Sequence, residues 1–125
     1  MKLRLLDDSI RLRLSRSDVQ AAEAEGIVEA QTRFPDGATF RFALEALAQG
    51  PASASCVGNR MVVRLPAEEI SRWAENDEAV SLRGVVELPD GSQLSLLVEK
   101  DFQCLTARPE EDQTDLFVNP QADDC

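Results

Sequence analysis

Apolar and polar residues alternate over much of the chain. Residues 1–6 alternate, and after a polar turn the alternation resumes over residues 10–14. A period of two residues is typical of half-buried β-strands, so this stretch predicts a hairpin. A short helix is predicted next, because Ser15 or Ser17 can cap its start and Gly26 can end it in the left-handed conformation.

The second half of the chain repeats this order of elements. A shift of 51 positions places residues 10–14 on residues 61–65. A shift of 54 positions, which allows three extra residues after the helix, places the Pro-Asp-Gly turn at 35–37 on the one at 89–91. The order strand, turn, strand, helix, strand, turn, strand therefore occurs twice, which indicates an internal duplication.

These patterns predict an α+β fold, mostly β, of two ββαββ repeats with two short helices. The repeats are residues 1–48 and 53–102, joined by a linker at 49–52. They form a single domain over residues 1–105, since a chain of 125 residues can bury one substantial core. Residues 106–125 are predicted to be an irregular, acidic C-terminal tail.

Two side chains of the second repeat are assigned to the core. Cys56 falls where Leu5 stands in the first repeat, so we interpret it as a small core residue rather than as a nucleophile. Trp73 lies at helical spacing from Ile70. This spacing favours a core residue over the alternative, a surface anchor for a ligand.

Composition and charge narrow the possible functions. The net charge is −10 and the isoelectric point about 4.4, which disfavours DNA as a partner and favours a basic protein or plain solubility. Histidine is absent, so the commonest acid/base group and metal ligand is missing. The apolar runs are too short for a membrane span, and the charged first residues exclude a signal-peptide core. We therefore predict a cytoplasmic protein that does not contact membranes.

Catalytic and metal-binding motifs are sparse. Adjacent carboxylates such as Glu68 and Glu69 lack the separated geometry of acid/base pairs, so a non-enzymatic protein without cofactors is favoured. Three cysteines without a CxxC pair do not predict a disulfide framework, and we predict no metal site. The lesser alternative is a metal- or thiol-dependent protein that uses Cys104 and Cys125, with Asp112 and Asp115 as further ligands.

Several motifs of the second repeat match a known pattern. They are Gly58-Asn59, the strand end Val63-Arg64-Leu65-Pro66, the helix from Ala67 and the strands around Pro89-Asp90-Gly91. With these motifs the chain resembles the swapped-hairpin domain of AbrB, SpoVT and MazE-type regulators and antitoxins over roughly residues 1–100. The first repeat departs from the pattern, with Asp7-Asp8 for Gly-Asn and Ser15 for Pro66. The ending EKDFQCLTARPEED is also similar to that of an uncharacterised bacterial family, which adds no function.

The resemblance implies an assembly and a DNA-binding surface. Barrels of that family usually form from two chains of one repeat each. Two repeats on one chain therefore imply a pseudo-twofold β-barrel that a single chain forms, a monomeric pseudo-dimer. In DNA-binding members, basic residues of the first hairpin and the barrel face contact phosphates. By position the candidates are Lys2, Arg4, Arg11, Arg13, Arg60 and Arg64. A solvated strand face is the alternative, since Val62 and Ser55 fill part of the corresponding surface in the second repeat.

The resemblance also implies a protein partner. MazE-type antitoxins cover a basic toxin surface with an acidic tail. Here Leu116 and Phe117 would anchor such a tail, while Asp112 and Asp115 would supply steering charge. We therefore predict a non-enzymatic binding module of AbrB-like architecture that binds a protein partner. A basic surface on that partner would complement the acidic tail. The alternative is a DNA-binding transcriptional regulator or antitoxin.

Overall fold

A computed structural model describes residues 1–102 together with Asp115 and Phe117. These residues form eight strands and two helices, in the order ββαββ twice over. The elements of the first half are β1 (Lys2–Leu5), β2 (Ser9–Leu14), α1 (Arg16–Glu25), β3 (Ile27–Arg33) and β4 (Thr39–Leu47). Those of the second half are β5 (Ser53–Val57), β6 (Arg60–Pro66), α2 (Ala67–Glu75), β7 (Ser81–Glu87) and β8 (Gln93–Lys100).

The strands pair in two four-stranded sheets, and each sheet takes one hairpin from each half. Sheet A has the order β1-β2-β8-β7, and sheet B has the order β3-β4-β6-β5. The hairpins are antiparallel, whereas the central pairs β2–β8 and β4–β6 are parallel. If each strand is replaced by its counterpart in the other half, the order of one sheet becomes that of the other. The prediction of a mostly-β α+β fold with two short helices is confirmed.

A closed barrel is not found among the residues that the structure describes. β1 and β7 are the edges of sheet A, and β3 and β5 are the edges of sheet B. Two of these edges approach each other where the predicted linker enters β5. A Cβ added to Gly84 in β7 would lie 3.1 Å from the Cβ of Ala52. The architecture shown is therefore a pair of sheets with one close approach between their edges.

The two Pro-Asp-Gly turns have matching backbone geometry. Gly37 has a φ of 94° and Gly91 a φ of 87°, a region that glycine enters at little cost. In both turns the aspartate Oδ1 accepts a hydrogen bond of 3.0 Å from the amide two residues later. Hydrogen bonds from the hydroxyl and amide of Ser92 hold the pKa of Asp90 below its ordinary value. Each turn thus fixes the start of a strand that continues into a sheet centre.

Both helices begin as their sequences predict, and the first also ends as predicted. The Ser15 hydroxyl accepts from the Asp18 amide, and the Asp18 carboxylate accepts from the Ser15 amide, which forms a capping box. Gly26 ends α1 with a φ of 78°. The second helix begins after Pro66, which lacks an N–H that would need a partner. Neither helix in the described part of the chain is long and apolar enough to cross a membrane.

One hydrophobic core lies between the sheets and the helices. Its fully buried side chains include Leu12, Leu14, Leu44, Val63, Ile70, Leu96 and Val98, which come from both halves. Trp73 is 2% exposed, and its Nε1 donates to the Val80 carbonyl at 3.0 Å, so its assignment to the core is confirmed. Because both halves supply this core, the burial that stabilises either sheet depends on the other half.

The interpretation of Cys56 as a core residue is wrong, because its thiol is exposed. Cys56 pairs with the buried Met61, but it lies near the end of the edge strand β5. Leu5, at the equivalent end of the edge strand β1, is 58% exposed. The end of an edge strand has a neighbour on one side only, so alternation continues there past the limit of the core.

Candidate functional site

The outer face of sheet A collects basic side chains from three strands. Two adjacent rows cross this face from β1 through β2 and β8 to β7. The first row is Lys2, Arg13, Glu99 and Ser81, and the second is Arg4, Arg11, Leu97 and Arg83. We call these eight residues the basic face, since five are basic and one is acidic. Directly opposed residues of neighbouring strands share a face, so the sheet register alone brings these charges together.

Carboxylates pair with cations of both rows. Glu99 Oε1 accepts from Arg11 Nε and lies 3.7 Å from Arg13 Nε. Lys2 Nζ lies 3.0 Å from Oδ2 of Asp101, a carboxylate that is 7% exposed. Within the described residues, the cations that these pairs leave without a carboxylate include Arg4 and Arg83 of the second row.

An open cavity of about 300 Å³ lies over the second row. Its polar lining includes Arg4, Arg11 and Arg83 and the serines Ser9 and Ser95. Among the residues that the structure describes, no acidic side chain lines this cavity, and no ion pair is found for Arg4 or Arg83. The Ser9 hydroxyl donates to the Leu6 carbonyl at 2.6 Å, so the guanidinium groups and the Ser95 hydroxyl supply the hydrogen-bond donors around a net positive charge. This arrangement can hold an anion.

The equivalent row of sheet B has a different character. From β5 through β6 and β4 to β3 it reads Ser55, Val62, Ala43 and Glu29. Arg60 Nε lies 2.8 Å from Glu29 Oε2, and Arg64 Nε lies 3.5 Å from Glu45 Oε1. Arg64 also donates to the Ser55 hydroxyl at 3.1 Å. Arg60 and Arg64 are thus partnered within sheet B, and the equivalent row carries Glu29 where sheet A has Arg83.

The structure divides the six basic residues that the resemblance assigns to DNA. Lys2, Arg4, Arg11 and Arg13 share the outer face of sheet A, whereas Arg60 and Arg64 lie on sheet B. Arg83 belongs to the basic face but was missed by sequence reasoning. Its position between Leu82 and the inward-facing Gly84 predicts an outward side chain, but only the parallel β2–β8 pairing places β7 in the same sheet as the first hairpin.

Asp115, predicted to bind a partner, contacts the N-terminus of α1. Its carbonyl accepts from the Arg16 amide at 3.0 Å, and its Oδ1 accepts from the Ser17 amide at 3.3 Å. The Ser17 hydroxyl donates to Oδ2. This hydrogen bond and one from Ser15 hold the pKa of Asp115 below its ordinary value. A carboxylate at this place also interacts favourably with the helix dipole.

Phe117, the predicted anchor, packs against the same domain. Its amide donates to the Asp101 carbonyl at 2.9 Å, and its ring centroid lies 5.6 Å from that of Phe102. A protein partner would either contact Asp115 and Phe117 in these positions or displace them from the domain. Their role in partner binding stays a prediction. Leu116 and Asp112, the other two residues of that prediction, lie outside the described residues.

The structure does not test the lesser alternative of metal or thiol chemistry. Cys104 and Cys125 lie outside the described residues, as does Asp112. In residues 1–102, Asp115 and Phe117, no three side chains of the metal-binding types gather into one group. The metal- or thiol-dependent alternative therefore stays a prediction.

Comparison with known proteins identifies a family. A family model described as "Family of unknown function (DUF7009)" matches residues 1–121. Neither the curated proteins nor the solved structures contain a match to the chain. The match covers both halves of the described chain and the whole basic face, and its description names no ligand or activity. The function must therefore be argued from the site.

Proposed function

The chain belongs to the DUF7009 family, and we propose that it is a non-enzymatic binding module that recognises an acidic protein partner with its basic face. A single observation carries the proposal. In a chain of net charge −10, two adjacent rows of one sheet present five basic side chains and one acidic one. Complementary charge accelerates association and selects the partner. A carboxylate-rich surface is the complement of this face.

The chemistry of the face suits recognition. A guanidinium keeps its charge at every physiological pH and presents five donors in a fixed plane. It can therefore hold carboxylates in a defined geometry, whereas it does not exchange protons as an acid/base catalyst must. Arg4 and Arg83 offer these donors from opposite edges of the sheet, and Arg11 offers them from between.

We extend the proposal to the architecture, which we assign to the AbrB-like swapped-hairpin class. Support comes from the hairpin exchange, because each sheet combines one hairpin from each half. It also comes from matched contacts: the Ser95 amide donates to the Asp8 carbonyl at 2.9 Å, and the Arg41 amide donates to the Asn59 carbonyl at 2.8 Å. In this proposal the halves form a duplicated pseudo-dimer, and the approach of β7 to β5 is the seam of an incompletely closed barrel.

A DNA-binding regulator or antitoxin is the second candidate. It is favoured by one observation, the common face of Lys2, Arg4, Arg11 and Arg13 on the first hairpin. We rank it second because the six basic residues assigned to DNA do not form one surface along which a phosphate backbone could run. The rest of the assigned DNA surface, Arg60 and Arg64, lies on the other sheet with carboxylate partners.

Affinity capture from the native cells tests the proposal. The tagged chain is compared with Arg4→Ala/Arg83→Ala, which removes two cations of the basic face. The matched control is Arg33→Ala/Arg41→Ala, which removes two exposed cations from sheet B. We expect an acidic protein in stoichiometric amount with the parent chain and the control, and a loss of about tenfold with Arg4→Ala/Arg83→Ala.

Nuclease treatment and salt separate the two candidates. The protein partner should survive nuclease and dissociate as salt rises. Recovery of nucleic acid, with any co-purifying protein lost on nuclease treatment, would replace the proposal by the second candidate. Equal recovery of the same partner by both double variants would show that the basic face is not the binding surface.

A further inference from the structure

The cavity over the second row has a specific layout. Leu97, half-buried, is its apolar floor between the strands that carry Arg11 and Arg83. Neighbouring strands lie about 4.8 Å apart, so these two arginines start about 10 Å apart on either side of the floor. Ser9 and Ser95 are paired directly across β2 and β8, one row further along. A small group above Leu97 is within reach of donors from three sides.

The side chains around this floor carry two net positive charges. Three arginines line the cavity, and one carboxylate, Glu99 of the adjacent row, bonds Arg11 through its Nε. Arg11 keeps its two terminal nitrogens as donors. The local excess of two positive charges fits a doubly negative anion better than a single carboxylate, because each charge of the ligand then has a partner.

The fold itself does not demand this arrangement. The equivalent row of sheet B has Ser55, Val62 and Glu29 where sheet A has Arg4, Arg11 and Arg83. Arg4 stands directly opposite Arg11, and like charges at opposed positions of a sheet are destabilising. An anion between them removes this repulsion. The same architecture forms on sheet B without such a cost.

We infer that this cavity binds one phosphoryl dianion, held by Arg4, Arg11 and Arg83 with the hydroxyl of Ser95. The inference rests on the proposed function, since it names the group that the basic face accepts at its centre. The phosphoryl group can be a free phosphate ion or a phosphate ester on the protein partner. Both present the same oxygens and charge, and the experiment separates them.

Titration of the full-length chain, followed through its backbone amide NMR signals, tests the inference. The probes, at constant ionic strength, are inorganic phosphate, a short phosphoserine peptide, the same peptide without phosphate, and acetate. We expect phosphate and the phosphopeptide to shift the amides of Ser9, Arg11, Arg83 and Ser95, with a dissociation constant on the order of 1 mM. A phosphopeptide that binds more tightly than phosphate identifies the ester as the source, and equal affinity identifies the free ion.

Matched variants locate the site. Arg83→Ala should weaken the binding of phosphate about tenfold, and Arg33→Ala should leave it unchanged. Both side chains are exposed, so both variants are expected to keep the fold, which the same spectra verify. Acetate or the unphosphorylated peptide binding as tightly as phosphate, or an unchanged affinity in Arg83→Ala, would overturn the inference.

The two proposals fail separately. Capture of an acidic partner through the basic face together with no phosphate titration would overturn the phosphoryl site and leave the proposed function standing. A phosphate titration that depends on Arg83, with no partner lost from Arg4→Ala/Arg83→Ala, would overturn the protein-binding function and leave the anion site standing.

Discussion

Lys100 is a buried cation at an inward-facing position of β8, with 4% of its surface exposed. Its Nζ donates to the Asn76 carbonyl at 2.8 Å and lies 5.5 Å from the ring centroids of both Trp73 and Phe117. Burial lowers the pKa of Lys100, and the nearby Asp77 opposes this effect. The aromatic rings and one carbonyl thus replace only part of the hydration that the ammonium loses.

The stability of the protein should therefore rise in alkaline solution through Lys100. Because the pKa of Lys100 in the folded chain lies below its ordinary value of 10.5, the unfolded chain binds more protons between those two values. The free energy of unfolding then increases with pH over this window. Lys100→Met keeps the volume and removes the proton, so this increase should be absent. Urea unfolding at a series of alkaline pH values measures both proteins, and parallel curves would contradict the expectation.

Single side chains show where a residue pattern stops being informative. Alternation placed Cys56 inward on β5, but the register with Met61 does not bury it because the core ends first. The spacing of Trp73 from Ile70 predicted its burial correctly, since a helix face is set by residues of the same turn. The alternation along a strand thus gives the face to which a side chain points. How deeply that side chain is buried depends on which other elements cover the strand.

The hairpin turns are the elements in which sequence and structure agree most closely. Both Pro-Asp-Gly turns were predicted, and both place glycine at a positive φ with open space around it. The amides of Phe34 and Leu88 each donate at 2.8 Å to the carbonyl four residues later. Such turns are local, so the residues that form them contain nearly all the information needed.

Gly37→Ala and Gly91→Ala should each lower the free energy of unfolding by about 1–2 kcal/mol, since an L-residue is strained at positive φ. A Cβ meets no atom within 4 Å at either position, so the backbone conformation is the cause. The two losses should be similar because the turns match. Thermal or urea unfolding of the two variants measures them, and a loss at one turn only would show that the turns are not equivalent.

Pairing between elements was beyond the reach of the sequence. The order ββαββ could be predicted twice because each element has its own period and its own ending residues. Parallel pairing of β2 with β8 joins Arg11 to Leu97, and no local pattern encodes such a contact. Arg83 was missed for this reason, whereas Lys2, Arg4, Arg11 and Arg13 were found because one hairpin carries them all.

At the scale of the whole molecule, neither half has a sheet of its own. Residues 1–48 hold two hairpins that belong to different sheets, and the same is true of residues 53–102. A hairpin that lacks its sheet and half of its core is at best marginally stable. The stability of both sheets therefore depends on the exchange of hairpins between the two halves.

Residues 1–50, made alone, should have no folded monomeric state. We expect this fragment to be unfolded at low concentration and to gain β-structure only when two copies associate, or when it is mixed with residues 51–125. Circular dichroism and light scattering over a range of concentrations measure both properties. A monomeric fragment with cooperative unfolding would contradict the expectation, because it would show that one half forms a sufficient core alone.

The central position of β8 has a consequence for how the chain reaches this structure. β2 lies between β1 and β8, so the inner edge of β2 has no partner until Gln93–Lys100 has been synthesised. Contacts between residues so distant in sequence close slowly, since the intervening chain must first lose its freedom. The charged hairpin β1–β2 is therefore synthesised before the other strands of the two sheets, and β2 has to remain unpaired on one side until β8 is made. We expect the arginines of this hairpin to keep its unpaired edge soluble during this interval, because charged side chains on an edge strand oppose aggregation.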